Sequence, residues 1–321
     1  MLMAVKGLPN IGLSCYINSV LQAFFHIKEF KEYITATDFM EKESFVYYFR
    51  CVFENLDKDI ANQSEKIKND EKENLLIIFS VFKSFCEKFQ ESRQDDANHF
   101  LTFLLNKLDV EIISNFKKIN QSSESNQFNM NIISELFRGE QEDRIICEKC
   151  KKTEDRKTKQ NFFTLPLVID KGSSLEQLLM SFFGDSYING FECTDCAGGK
   201  LYKHTIITKW PKYLIINICR AQVNHSGKMV KIDTKISVDN HKLVVQDLSN
   251  FYSKDNGDSR SIEYKLEAVI NHYGDTYSGH YTCIANTEFS WILFNDMEVK
   301  SVNEDSIISK ANNLLFFKLS N

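Results

Sequence analysis

Residues 7–25, GLPNIGLSCYINSVLQAFF, place a cysteine where a glycine-punctuated loop meets an apolar-periodic helix. The thiolate is the nucleophilic form of cysteine, and a helix N-terminus favours negative charge. Ile17, Val20, Leu21, Phe24 and Phe25 follow the spacing of one helical face, with Ser14 as the expected N-cap. Gly7, Pro9 and Gly12 break regular structure just upstream. Cys15 then opens the helix, its sulfur close to backbone N–H groups that no helical carbonyl reaches. Two roles fit such a residue: a nucleophile, or a small buried hydrophobe, since free cysteine is among the most buried residue types.

A thiol nucleophile needs a base, and the base needs a group that orients it. Among seven histidines, His280 stands in YSGHYTCIA, ahead of SWILFND. A hairpin centred on Thr287 and Glu288 sets His280 directly across from Asn295, with Cβ atoms about 4.5–5.5 Å apart. An asparagine amide there holds the imidazole in one orientation and tautomer, the Cys-His-Asn form of the triad. His272 reads as a satisfied structural residue.

Cys147-x-x-Cys150 and Cys193-x-x-Cys196 form two CxxC pairs far apart in sequence. Each turn lets two thiolates share one tetrahedral ion, and two such turns close a structural Zn²⁺ site with no open position. The spacing exceeds that of a compact zinc finger, so the pairs are expected on two hairpins that the fold brings together. Neither pair opens a helix in a βαβ pattern, which disfavours redox chemistry.

These residues need elements to hold them. The first third of the chain reads as helices: CYINSVLQAFFHIKEFKEYI, SFVYYFRCVFENL, ENLLIIFSVFKSFCEKF and DDANHFLTFLLNKL. DKDIANQSEKIKNDEKEN between them reads as a solvated connection, and KKINQSSESNQFNM (117–130) as a flexible boundary. Short β-like runs follow, among them RIICEKC, FFTLPLVI, LYKHTIITKW, YLIINICR, YKLEAVINHY, HYTCIA, WILFN and NLLFFKL, with SSLEQLLMSFFG as an intervening helix. QVNHSGKM and NFYSKDNGDSR read as exposed loops. The class is α+β, with a helical front and an antiparallel, strand-rich back.

With 321 residues, 43% hydrophobic and 26% charged, the composition is that of an ordinary globular protein. A net charge of −5 gives no general attraction to nucleic acid or anionic membrane. The opening residues MLMAVKG lack a signal peptide's apolar core, and the nine cysteines are expected to be reduced, which points to cytosol or nucleus.

In order along the chain, GLPNIGLSCYINSVLQ, QDDANHFL, the paired CxxC, and YKLEAVINHYGDTYSGHYTC with WILFNDMEV resemble four motifs of the ubiquitin-specific proteases. These are papain-like cysteine peptidases that remove ubiquitin, and the four stretches resemble their cysteine box, QQDA-type helix, zinc-bearing fingers and histidine box. The resemblance runs from Gly7 to about Phe317. It implies an α+β, papain-like catalytic domain over residues 1–321: a helical thumb to about 125, β fingers with a zinc ribbon over about 126–215, and an antiparallel β palm over about 216–321.

The resemblance makes Cys15 the nucleophile, His280 the general base and Asn295 the third triad member. Asn10 becomes the side chain that donates to the oxyanion, and Asp296 an acidic support of the same site. Gln94, Asp96, His99 and Tyr281 become substrate-binding residues, and Cys147, Cys150, Cys193 and Cys196 the ligands of one structural Zn²⁺. Leu13 stands where the family usually has Asn, and Ser14 where it usually has Thr. LIINICRAQ lacks the Lys and Phe of the family's LIIHLKRF strand. His99 falls where family members usually carry a Glu that binds an arginine in ubiquitin's C-terminal tail; either His99 meets the tail with Asp96, one turn back, taking part of the contact, or His99 points to solvent and Asp96 and backbone hold the tail.

The implied activity is thiol hydrolysis of the bond after ubiquitin's C-terminal glycine. The alternatives are a catalytically silent ubiquitin-binding scaffold and a protease for a ubiquitin-like modifier. A zinc-ribbon nucleic-acid binder conflicts with the acidic balance. The expected partners are ubiquitin and ubiquitinated proteins, with no nucleic acid and no membrane, on a monomeric chain.

Overall fold

The run CYINSVLQAFFHIKEFKEYI, expected as one helix, forms two: α1 (Cys15–Phe25) and α2 (Lys28–Ala36). His26 closes the first, its ring Nδ1 lying 2.8 Å from the Gln22 carbonyl that its own N–H also reaches. The computed structural model describes residues 5–36, 42–58, 65–86, 89, 94–120, 131–152, 158–169, 174–196, 198–247, 260–287 and 289–320.

Helix α3 (Phe45–Asp57) starts on Ser44, whose Oγ accepts the Tyr47 N–H. Helix α4 (Glu65–Ser84) takes in much of the stretch expected to be a solvated connection. Glu and Lys are good helix formers, so a polar run need not be a loop. Helix α5 (Ala97–Asn120) continues past its expected end into the boundary segment, whose residues 121–130 lie outside the described residues. A short α6 (Ile132–Phe137), capped by the Asn131 side chain, follows.

The strands then come in sequence: β1 (Gly139–Cys147), β2 (Thr158–Phe162) and β3 (Thr164–Val168), and after α7 (Leu175–Phe182), β4 (Ser186–Glu192) and β5 (Lys200–Lys209). Next are β6 (Tyr213–Cys219), β7 (Ala221–Val223), β8 (Met229–Lys231) and β9 (Lys242–Asp247). The last are β10 (Arg260–Gly274), β11 (Gly279–Asn286), β12 (Trp291–Asn295), β13 (Glu298–Val302) and β14 (Asn312–Leu319). All but Arg260 of the expected loop NFYSKDNGDSR lies outside the described residues. Helix α7 carries the capping box that SSLEQ suggests, with Ser174 and Gln177 bonding each other's backbone N–H.

One four-stranded sheet has the order β2-β1-β5-β4; a larger one runs β13-β12-β11-β10-β14-β6-β3, with β9 also paired to β10. Only β3 with β6 is parallel in these ladders. Helix α1 packs on β10, β11 and β12 and is buried from Cys15 to Phe24. The Phe24 ring meets Phe30, Phe137 and Phe316 at 5.2–5.8 Å between centroids, joining α1 to two helices and to β14. Truncating a ring so placed typically costs about 3–5 kcal/mol, so the helix that opens on Cys15 has a rigid seat.

The β11–β12 register differs from the expected one. Cys283 pairs with Phe294 and Asn286 with Trp291, and the chain reverses between Thr287 and Ser290, whose backbone and hydroxyl groups bond each other. The turn therefore falls one residue later, and Asn295 stands level with Thr282 rather than His280. A slip of two residues preserves the face, so His280 and Asn295 remain diagonal neighbours on one side of the hairpin.

Candidate active site

Cys15 is the first residue of α1 and is 4% exposed. Ser14 does not cap the helix with its side chain, contrary to expectation. Its Oγ accepts the Ile11 N–H at 2.9 Å instead, and its own N–H goes to Asn10 Oδ1 at 2.9 Å. Gly12 and Leu13 both take left-handed backbone, with φ of 58° and 62°. That conformation is free for glycine and costs a branched residue about 1–2 kcal/mol. Leu13 is also exposed, so little burial offsets the strain. Leu13→Asn is expected to stabilise the chain by about 0.5–1 kcal/mol, read as a higher denaturation midpoint at unchanged slope.

Burial pushes the Cys15 thiol above its ordinary value and the Asp296 carboxylate adds to the rise, while the N–H groups of Tyr281 and Tyr16 pull the other way. The N–H groups at the helix start therefore do not outweigh burial and hold a thiolate by themselves. The thiol rests neutral and needs a base at the moment of attack. A raised pKa leaves less thiolate at neutral pH, so alkylation of Cys15 by iodoacetamide should keep accelerating above the ordinary thiol range. A rate that levels off near neutrality would mean the opposite sign of shift.

His280, the residue expected to be the base, lies at the start of β11, where its chain neighbour Tyr281 directs an N–H at the thiol. His280 Nε2 lies 2.6 Å from Asn295 Oδ1. Asn295 in turn donates through Nδ2 to Glu298 Oε2 at 3.2 Å, and Lys300 sits 2.5 Å from Glu298 Oε1. Lys300 and Asn295 hold the Glu298 carboxyl below its ordinary value, so it stays an acceptor. That fixes the amide with its oxygen toward the histidine. Assigned from this network, Nε2 carries the proton and Nδ1 keeps the lone pair.

Asp296 follows at a left-handed φ of 51°. Its Oδ2 accepts from Asn10 Nδ2 at 2.8 Å, its Oδ1 from Asn18 Nδ2 at 2.7 Å, and its carbonyl from the Leu8 N–H at 3.0 Å. Gly7 packs so close to the Asp296–Met297 backbone that a Cβ would collide with it. Asn10 thus spends one Nδ2 hydrogen on Asp296 and keeps the other. Asn18 was not singled out from the sequence. Its signal was a carboxamide three residues after Cys15, on the same face of a helix whose other neighbours are largely apolar.

Among the expected substrate-binding residues, Asp96 bonds both His99 and Tyr281, whereas Gln94 bonds a strand. Gln94 Nε2 and Oε1 clamp the Gly279 carbonyl and N–H, each at 2.8 Å, which fixes the strand leading to His280. Asp96 Oδ1 accepts from the N–H groups of Asn98 and His99, and its Oδ2 from Tyr281 OH at 3.3 Å. The buried Tyr281 ring stacks on His272 at 4.5 Å. Burial and Lys231 push His272 down to about 4, as suits the structural role read for it. A cavity of about 460 Å³ opens beside Cys15, lined by Asp95, Asp96, Arg220, Lys231 and Tyr277 among others. His99 does not line it; its Nδ1 faces Asp95 Oδ1 at 3.0 Å and its side chain is 55% exposed. The loop on the cavity's far side is held by Asp275, which accepts the Tyr277 and Ser278 N–H groups at 2.7 and 2.8 Å. Gly274 enters that loop at φ 116°, which a side chain would oppose.

The two CxxC pairs meet at one end of the four-stranded sheet, where Cys147 ends β1 and Leu201 of β5 pairs with it. The four sulfurs lie within 4.8 Å of one another, with Cys147 to Cys196 at 3.6 Å and Cys150 to Cys193 at 3.8 Å. Sulfurs 2.3 Å from a tetrahedral Zn²⁺ stand about 3.8 Å apart, whereas a disulfide needs about 2.05 Å. Gly199 leaves room for the sulfurs, since a Cβ there would strike Cys147 and Cys196 Sγ. The donor set fits a closed structural zinc site.

A family profile described as ubiquitin carboxyl-terminal hydrolase matches residues 6–317. Ubiquitin carboxyl-terminal hydrolase 25 of Arabidopsis thaliana is 30% identical over 328 residues, covering 98% of this chain and 47% of the relative. Ubiquitin carboxyl-terminal hydrolase 8 of Saccharomyces cerevisiae is 23% identical over 335 residues, covering 98% of this chain and 70% of the relative. The chain spans about half of the Arabidopsis relative and about a quarter of a Drosophila virilis one, ubiquitin carboxyl-terminal hydrolase 36. The fold is similar to that in the SAGA Ubp8/Sgf11/Sus1/Sgf73 DUB module bound to ubiquitin aldehyde, with a TM-score of 0.82 at 21% identity over 99% of this chain and 70% of that chain. Ubp8 sits there in a multi-subunit module, so the expectation of a monomer draws no support from it.

Proposed function

The chain belongs to the ubiquitin carboxyl-terminal hydrolase family, and from that membership we propose that it is a thiol hydrolase cleaving the bond after ubiquitin's C-terminal glycine. The observation that carries the reading is the His280 Nε2–Asn295 Oδ1 hydrogen bond of 2.6 Å, on the strand whose next N–H points at the Cys15 thiol. His280 Nδ1 takes the thiol proton as Cys15 Sγ attacks the glycine carbonyl carbon. The oxyanion that forms accepts from the remaining Asn10 Nδ2 hydrogen and from backbone N–H at the helix start. Collapse breaks the C–N bond, and His280 returns the proton to the leaving lysine amine. Water, deprotonated by His280, then attacks the thioester, releasing ubiquitin's carboxylate and the Cys15 thiol.

Zn²⁺ bound by Cys147, Cys150, Cys193 and Cys196 would tie the ends of the four-stranded sheet together and take no part in these steps. Reduced thiols at those positions and at Cys15 suit a cytosolic or nuclear setting.

Ubiquitin's tail enters through the cavity beside Cys15. Asp95, whose Oδ1 is engaged by His99 and the Asp96 N–H, keeps Oδ2 for a tail arginine. Asp95→Asn is expected to raise KM about tenfold at nearly constant kcat, the loss of one charge-assisted hydrogen bond made equally in ground and transition states. His99→Glu should move KM less than about twofold. The reverse ranking would return the tail contact to position 99.

The test of the reading is turnover of ubiquitin carrying a C-terminal aminocoumarin amide, beside the same amides of ubiquitin-like modifiers. Turnover of the ubiquitin amide is expected. Ubiquitin binding without turnover would instead mark a silent scaffold.

A further inference from the structure

We infer that Asn18 is a positioning residue that acts through Asp296 on Asn10, an inference resting on the hydrolase reading above. Asn18 is 3% exposed and one helical turn from Cys15. Its Nδ2 donates to Asp296 Oδ1 at 2.7 Å and to the Pro9 carbonyl at 3.1 Å. It therefore grips both the carboxylate that holds Asn10 and the peptide that precedes Asn10. Asp296 Oδ2 accepts from Asn10 Nδ2 at 2.8 Å, and Asn10 Oδ1 is taken by the Ser14 N–H at 2.9 Å. With both ends of the carboxylate and both ends of the amide fixed, the second Asn10 N–H has one direction left.

The amide of Asn18 is not what packing alone would select. Its Oδ1 is buried and finds no hydrogen-bond partner among the described residues. Burying an amide oxygen unpaired is unfavourable, and an isosteric leucine would avoid it. What the asparagine offers in return is the donor half, aimed at Asp296. Because Asn18 and Cys15 ride the same rigid helix, the oxyanion donor and the attacking sulfur are kept in register by one element.

The test is a double-mutant cycle on turnover of the ubiquitin aminocoumarin amide. Asn18→Leu is expected to lower kcat about ten- to a hundredfold with KM within about twofold, the pattern for loss of a transition-state contact. In an Asn10→Ala background the same substitution should cost less than about twofold more, because its route to the substrate is already gone. Alkylation of Cys15 by iodoacetamide, which builds no oxyanion at a carbonyl, should keep its rate in every variant. Should Asn18→Leu unfold, Asn18→Ser, which adds no bulk, carries the same cycle. Equal losses in both backgrounds, an unchanged kcat, or a fall in alkylation matching the fall in kcat would each overturn the inference. A wild-type chain that turns over no ubiquitin amide overturns the hydrolase reading and the inference with it.

Discussion

His280→Ala is expected to lower kcat/KM for a ubiquitin amide by about 10³- to 10⁴-fold. The size follows from the resting state of the site. Burial and Asp296 keep the Cys15 thiol protonated, so without a base the attacking thiolate is scarce at neutral pH. In the proposed mechanism the same histidine also protonates the leaving amine, and among the described residues no second imidazole is hydrogen-bonded to Asn295. Asn295→Ala should cost less, about ten- to a hundredfold, since the imidazole stays on its strand and loses only orientation and tautomer. Asp296, the next residue, accepts one bond on each carboxylate oxygen, from Asn10 and Asn18, and keeps acceptor capacity with which to substitute in part as orienter. A His280→Ala variant with turnover near the wild-type rate would remove His280 from the mechanism.

The second large effect concerns metal. Serine in place of any one of Cys147, Cys150, Cys193 or Cys196 should abolish binding of one zinc per chain and melt the four-stranded sheet locally. Zinc bound to four cysteines contributes folding free energy on the order of 10 kcal/mol at neutral pH, far more than the few buried side chains around it. Those are Leu201 with Ile145 and Ile188 partly buried beside it. Hydrogen exchange should speed up in β1, β4 and β5, while iodoacetamide still reaches Cys15 at its original rate. A zinc-free chain with full protection in those strands would show that the cysteines do not hold a structural ion.

Most of the architecture was legible because it rests on local pattern. The apolar spacing of α1, the β-branched runs of β5 and β6, the Leu/Phe run of β14, and the repeated CxxC turns each signal their element without help from distant residues. The failures fall where tertiary contacts decide or where composition fits two structures equally. GLSCY suggested a serine cap, but Asn10 took the Ser14 N–H and turned the hydroxyl back to Ile11. The charged run before Leu75 looked like a loop because solvated helix and solvated coil have the same composition. The β11–β12 turn was misplaced by one residue, yet the His280–Asn295 pair survived because the resulting slip was even.

The site showed the same division. Cys15, His280 and Asn295 were singled out by residue type and place, whereas Asn18 is tied to the site by a hydrogen bond to a partner 278 positions away. The engagement of Gln94 with Gly279, and of His99 with Asp95, likewise depends on side-chain directions that no spacing rule carries.

The most direct measurement is a covalent trap: ubiquitin bearing a C-terminal vinyl methyl ester, mixed with the purified chain and followed by peptide mass mapping. One ubiquitin per chain, attached at Cys15 and absent from Cys15→Ala, is the expected result. An adduct that persists in Cys15→Ala, or a wild-type chain that forms none, would contradict the assignment of Cys15 as the nucleophile of a ubiquitin hydrolase.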